Sequence, residues 1–186
     1  MNPVDSALIF LIQIFASFYL VILMLRIILQ KSGVSFYNPI VQFIIKITNP
    51  PLMVLRKILP NYSKVDLSVV LLIILVELIK VILLSWLSNG MIPAVISILV
   101  LMLADLLHLL IEIYFYGILF AAILSFFRLL GLNPLLDALQ LMTNPVLRQI
   151  RRYIKPIAGL DFSPFTALIA LHLIDILLVG KLISFA

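Results

Sequence analysis

The sequence predicts an all-α membrane protein whose four transmembrane helices form two parallel hairpin repeats, with short amphipathic cytoplasmic helices between the spans of each hairpin. Three observations predict it. The 186 residues are 65% hydrophobic and only 11% charged, far too apolar for a water-soluble domain. Four stretches approach the ~20 apolar residues that cross a bilayer as a helix. A pattern of polar residues and prolines also occurs twice, every position of the second copy offset by 95 from the first, as Asn133 is from Asn38.

The first span covers about Ala7 to Leu29, interrupted by Gln13 and ended by Arg26. The residues before it, Met1-Asn2-Pro3-Val4-Asp5, carry no basic charge. The run that follows is too long for a signal-peptide core and no A-x-A site succeeds it, so it is expected to remain as an anchor.

The repeated pattern comes next and reads N-P-x8-T-N-P-x5-R-[KR]-x8-D-x-S. Its first copy holds Asn38, Pro39, Thr48, Asn49, Pro50, Arg56, Lys57, Asp66 and Ser68. Its second holds Asn133, Pro134, Thr143, Asn144, Pro145, Arg151, Arg152, Asp161 and Ser163. Asn followed by Pro is a helix start, since the Asn side chain caps and the Pro ring presets φ where a missing N–H costs nothing. Each copy contains two such pairs, and then an Asp-x-Ser before a long apolar run. The expected local structure is short helix, turn, short helix, turn, long helix. Capping accounts for the motif residues, and a binding role for Thr48, Thr143, Asp66 or Asp161 is the competing reading.

This doubled T-N-P…R-[KR]…D-x-S signature, with Arg26-Ile27-Ile28-Leu29-Gln30 and Phe36-Tyr37-Asn38-Pro39, resembles the YggT (YlmG-like) integral membrane proteins of bacteria and plastids over nearly the whole chain. The second copy departs locally: Lys155-Pro156 stands where the first has Pro60-Asn61. The resemblance implies two repeats, residues 1–90 and 91–186, and no catalytic residues. It also implies a scaffold or assembly role in the cell envelope, with envelope or division proteins as partners. Relatives are associated with division-site and nucleoid organisation, with cofactor attachment to plastid membrane cytochromes, and with osmotic or ion tolerance.

The second span covers about Leu67 to Leu87, with Glu77 and Lys80 inside it. Ser88-Asn89-Gly90 then forms a turn. The apolar region from Pro93 to Phe127 exceeds one span, and the repeat divides it into a lead-in to about Leu103 and a third span over about 104–127; one long tilted helix is the alternative. The fourth span covers about Phe162 to Ile183.

Basic residues set the orientation. Lys31, Lys46, Arg56, Lys57 and Lys64 lie between spans one and two, and Arg128, Arg148, Arg151, Arg152 and Lys155 between spans three and four. That is ten of the thirteen, and the segment joining the two repeats has none. The positive-inside rule therefore puts both motifs in the cytoplasm and both termini in the periplasm of a bacterial inner membrane. Two hairpins inserted in one sense give a parallel repeat about an axis along the membrane normal. In Pro145 to Lys155, the side chains of Arg148, Arg151, Arg152 and Lys155 fall at i, i+3, i+4 and i+7, one basic face of a helix that would lie in anionic lipid headgroups.

Ionisable groups inside spans are costly and mark functional candidates. Glu77, Lys80, Asp105, His108, Glu112, His172 and Asp175 are such groups, and the offset of 95 equates Glu77 with His172, Lys80 with Asp175, Gln13 with His108 and Ser17 with Glu112. Similar depths predict Gln13 with Lys80 and Ser17 with Glu77 in the first hairpin, and His108 with Asp175 and His172 with Glu112 in the second. A Lys80–Asp175 pair across the axis is the sharper expectation if spans two and four meet. This polar seam reads as a mutually satisfied packing core, as a proton or cation path, or as a metal or haem site built on Asp105-x-x-His108 and His172-x-x-Asp175.

Other classes are excluded. The chain has no cysteine, and so no disulfide or thiolate metal site. With six glycines it has no phosphate loop or dinucleotide fingerprint, and neither H-E-x-x-H nor a partnered nucleophile occurs. No enzyme, cofactor or direct nucleic-acid partner is expected; anionic membrane lipid is.

Overall fold

The computed structural model describes residues 3–57, 66–126, 134–154 and 161–185. These residues form helices, with no strand among them: α1 Pro3–Lys31, α2 Pro39–Leu55, α3 Leu67–Asn89, α4 Val95–Phe126, α5 Pro134–Ile150, α6 Ser163–Ile174 and α7 Gly180–Ile183, the last two joined by a π-helical turn, Asp175–Val179. Among the described residues four stretches are long and apolar enough to cross a membrane: Pro3–Lys31, Leu67–Asn89, Val95–Ser125 and Ser163–Ile183.

The ends of these helices follow from their residues. Asn38 caps α2 by accepting the Ile40 amide at 2.9 Å, with Pro39 opening the helix. Asp66 caps α3 by accepting the Ser68 amide at 3.2 Å, and Asp161 accepts the Ser163 amide at 2.9 Å where α6 begins. Gly90 ends α3 in the left-handed region at φ 68°, which a side chain would resist, and its amide returns to the Trp86 carbonyl. Asn133, the expected cap of α5, lies outside the described residues, as do Lys64, Arg128 and Lys155.

Three expectations are corrected. Asn49-Pro50 and Asn144-Pro145 start no new helices, because α2 and α5 run through them as single 17-residue helices. Pro50 and Pro51 in α2 and Pro145 in α5 each lose an amide bond and crowd the carbonyl four residues back, and packing retains the helix around them. The apolar lead-in and the third span are likewise one helix, α4, of 32 residues. Its sequence has no proline or turn signal to stop it, and at about 1.5 Å per residue its length of ~48 Å exceeds a ~30 Å hydrocarbon core, so it must tilt or protrude. Finally, the basic segment from Pro145 is not one helix to Lys155. The helix ends at Ile150, and Arg151 lies in the turn beyond it. α5 itself buries Ala138, Met142, Thr143 and Leu147 while Arg148 stays exposed.

α1 packs against α3, and α4 against α6, the π-helical turn and α7; α1 and α3 touch α4, α2 packs on α1 and α3, α5 packs on α4, α6 and α1, and α2 and α5 pack on each other. The main core runs from Leu20 and Leu23 of α1 through Leu52 and Val69 to Leu109 of α4 and Met142 of α5. A second cluster joins Val81 to Ile98 and Met102, and a third joins Ile118, Leu147 and Ala167. Gly117 of α4 faces Met142 and Thr143 of α5, and a Cβ there would collide with the Met142 methyl group. The missing side chain lets these helices approach closely. Phe10, Phe15, Phe18 and many other large apolar side chains point outward, as they must where the solvent is lipid.

Candidate functional site

The ionisable groups of the spans form one row, with α4 as its spine. Asp105, His108 and Glu112 sit at i, i+3 and i+7 and so share a face of that helix. On one side α3 supplies Lys80, whose Nζ lies 2.9 Å from Glu77 Oε2 and 3.3 Å from Asp105 Oδ2. Glu77 is wholly buried and Lys80 nearly so. On the other side the π-helical turn supplies Asp175, whose Oδ1 lies 2.8 Å from His108 Nδ1. A carboxylate only accepts, so with Asp175 ionised the Nδ1 proton is donated to it. His108 Nε2 then faces Glu112 Oε1 at 3.8 Å.

Next to this pair lies a cavity of about 240 Å³, lined by His108, Glu112, Phe115, Tyr116, His172 and Asp175. It gathers all four predicted seam residues of the second repeat. His172 stacks obliquely over Phe115, with ring centres 6.4 Å apart. Among the described residues no three His, Asp or Glu side chains converge to hold a metal ion.

The expected pairings change accordingly. Lys80 meets Glu77 and Asp105 instead of Gln13, and Gln13 is exposed on the outside of α1. A carboxylate neutralises a buried ammonium where a neutral amide does not. Ser17 is half-buried, and the partner of Glu77 is Lys80. The Lys80–Asp175 pair is not formed: α3 does not touch α6 or the π-helical turn among the described residues, and each charge has a nearer partner. α4 stands where the two spans were expected to meet.

A second set of polar contacts occupies the motif. Arg56 pairs with Asp66, and Arg151 with Asp161 through Nη2 at 2.7 Å and Nε at 2.9 Å. In both copies of the motif an arginine just after the short helix, α2 or α5, thus holds the residue that caps the following span. Thr48 and Thr143 are fully buried, and their hydroxyls donate to the carbonyls of Ile44 at 2.7 Å and Leu139 at 2.8 Å. Ser68 and Ser163 are also fully buried. Burial pushes the Asp161 carboxyl up, but its bonds with Ser163 and Arg151 outweigh this and hold it below the ordinary Asp range.

The first repeat adds contacts that the second cannot copy. Arg26 Nη1 donates to Thr48 Oγ1 and, at 3.1 Å, to Asn49 Oδ1, whereas Ala121 occupies the position equivalent to Arg26. Asn38, besides capping α2, donates Nδ2 to the Pro134 carbonyl at 2.8 Å and ties the two halves together. Arg148 and Arg152 remain exposed. The sequence reading missed the use of Asp105, the Arg26 bonds and the two Arg–Asp pairs. Only the last had a signal, the identical ten-residue Arg-to-Asp spacing in both copies.

Long apolar helices whose ionisable groups close on one another define a helical integral membrane protein. The chain belongs to the CCB3/YggT family, whose model matches residues 6–87 and 100–182. It is 33% identical over 183 residues to an uncharacterized protein of Pseudomonas aeruginosa, covering 98% of this chain and 93% of that one. It is 35% identical over 170 residues to an uncharacterized protein encoded in the proC 3' region of Vibrio alginolyticus, covering 91% of each. Against the uncharacterized protein YggT of Escherichia coli K12 it is 32% identical over 173 residues, covering 91% and 88%. No solved structure matches the chain.

Proposed function

We propose that this chain is a non-enzymatic scaffold or assembly factor of the cell envelope, a multipass protein of the bacterial inner membrane. Residues 1–90 and 91–186 form its two hairpin repeats, parallel about an axis along the membrane normal. Both motifs face the cytoplasm and both termini the periplasm, since the basic residues cluster between the spans of each hairpin. One observation carries the reading: the polar groups of the spans and the motif are directed at one another. Lys80 lies between Glu77 and Asp105, His108 meets Asp175, and both motif arginines meet their caps. Such groups fix helices in place. What remains for partners is the outer surface, including Arg148 and Arg152 at anionic headgroups and envelope or division proteins beyond.

Single cysteines at Ser63, Ser88 and Ala158, probed in intact cells with an impermeant thiol reagent, test the orientation: only Ser88 is expected to label. The role is tested by purification from native membrane. Proteins that co-purify with the wild type should be lost with Arg148→Gln/Arg152→Gln and retained with Asp175→Asn. The opposite pattern would contradict a scaffold.

A second reading, a small ion channel or transporter linked to osmotic or ion tolerance, draws on the 240 Å³ cavity beside His108, Glu112, His172 and Asp175. It requires cation or proton flux in proteoliposomes that Asp175→Asn abolishes. Equal leak with and without protein would remove it.

A further inference from the structure

A cavity of about 200 Å³ lies between the end of α1, the body of α2 and the start of α3. Its polar wall is Arg26, Gln30, Arg56 and Asp66, and its apolar wall includes Leu29, Val34, Val41 and Ile44. We propose that it binds one phosphate group, of the kind that a phospholipid headgroup or a soluble phosphate carries.

Charge comes first. Two guanidinium groups face one carboxylate, which leaves one surplus positive charge in a partly buried space, and a monoanionic phosphodiester balances it. Hydrogen bonding points the same way. Arg26 gives Nη1 to Thr48 and Asn49, and its Nε and Nη2 have no acceptor among the described residues. Arg56 gives Nη2 to Asp66, while its Nε is buried without an acceptor. Guanidinium forks match phosphate oxygens, and a buried unpaired donor carries a cost that such an oxygen removes. Placement agrees too, because Arg26 is in the last turns of one span and Asp66 immediately precedes the next, the level at which headgroups lie. The apolar wall beside the arginines suits the glycerol and upper acyl segments of a lipid.

The second repeat lacks the arrangement. Its Arg151–Asp161 pair is present, but Ala121 replaces Arg26 and Ser125 replaces Gln30. The second guanidinium is therefore not demanded by the shared repeat fold.

The test uses the full-length protein, delipidated in a neutral detergent, with binding read by native mass spectrometry. The probes are phosphatidylglycerol, diacylglycerol and inorganic phosphate. Phosphatidylglycerol is expected to bind with one saturable site and diacylglycerol not to. Arg26→Gln should weaken that site about tenfold or more, the order expected for losing a charge-assisted hydrogen bond. Arg151→Gln should leave it unchanged. If inorganic phosphate binds with the same dependence on Arg26 and the lipid does not, the phosphate comes from solution. Gln30→Glu is the second variant, because this exposed side chain can change without disturbing the fold and would bring a repelling carboxylate to the cavity. Wild-type affinity in both folded variants, or equal binding of diacylglycerol, would overturn the proposal.

Discussion

His108 of α4 and Asp175 of the π-helical turn meet at 2.8 Å, through the histidine Nδ1 and one carboxylate oxygen. The contact ties the longest helix to the one place where the fourth span leaves α-helical geometry. Within a bilayer no water is at hand to replace either partner. Asp175→Leu is therefore expected to cost about 1–3 kcal/mol, the range for stranding a hydrogen-bonding group away from water. Asp175→Asn, which can still accept from Nδ1, should cost less. Thermal unfolding in detergent measures both.

The two motif asparagines should differ. Asn49 accepts a bond from Arg26, while Asn144 is exposed with Ala121 opposite in the repeat. Asn49→Ala is expected to lose about 1.5–3 kcal/mol, the range for a hydrogen bond to a charged group. Asn144→Ala should fall within about 0.5 kcal/mol of wild type, as ordinary surface substitutions do. Equal losses at the two sites would return both residues to a shared capping role.

Asn38→Ala removes two bonds, the cap on Ile40 and the link to the Pro134 carbonyl. The cap contributes about 0.5–2 kcal/mol. Asn38→Asp keeps the accepting oxygen but loses the amide donor, so it should fall between the wild type and Asn38→Ala in melting temperature. If Asp is as stable as Asn, the link between the halves contributes nothing.

Asp161 gives a pH dependence. Its carboxyl is held below the ordinary range in the folded chain. Its contribution is then full above the unfolded value of about 3.9 and disappears as pH falls through the lower folded value. With the side chain of Asp161 one-third exposed and that of Arg151 more so, the pair contributes about 0.2–1 kcal/mol. The stability gap between wild type and Asp161→Asn should thus be present at pH 7 and close as pH falls below about 3.9.

Much of this structure was legible in the residues. Four apolar runs and the caps at Asn38, Asp66 and Asp161 follow from hydropathy and from local side-chain chemistry, whereas Gln13 and Ser17, expected in the seam, stand outside the row. Continuity was harder. Asn49-Pro50 looks like a helix start in sequence, yet α2 passes through it, because packing around buried Thr48 and Leu52 outweighs the two amide bonds missing at Pro50 and Pro51. Pairing was hardest. The offset of 95 equates Lys80 with Asp175 and suggests that they meet, but Asp105 has Phe10 as its counterpart in the first repeat. A residue with no equivalent is invisible to symmetry, and Asp105 is the one that turns Lys80 toward α4. Arg26, opposite Ala121, was missed for the same reason.

Through its ionisable row α4 joins α3 to the fourth span. A double-mutant cycle on Lys80→Met and Asp105→Leu, read as unfolding free energy in detergent, tests it most directly. Lys80→Met alone should cost about 3–5 kcal/mol, since it strands the buried Glu77. The Lys80/Asp105 cycle should give a coupling of about 0.5–3 kcal/mol, and the same cycle on Lys80 and Asp175 should be additive within about 0.5 kcal/mol. Coupling between Lys80 and Asp175 with none between Lys80 and Asp105 would contradict the row and place the second and fourth spans in direct contact.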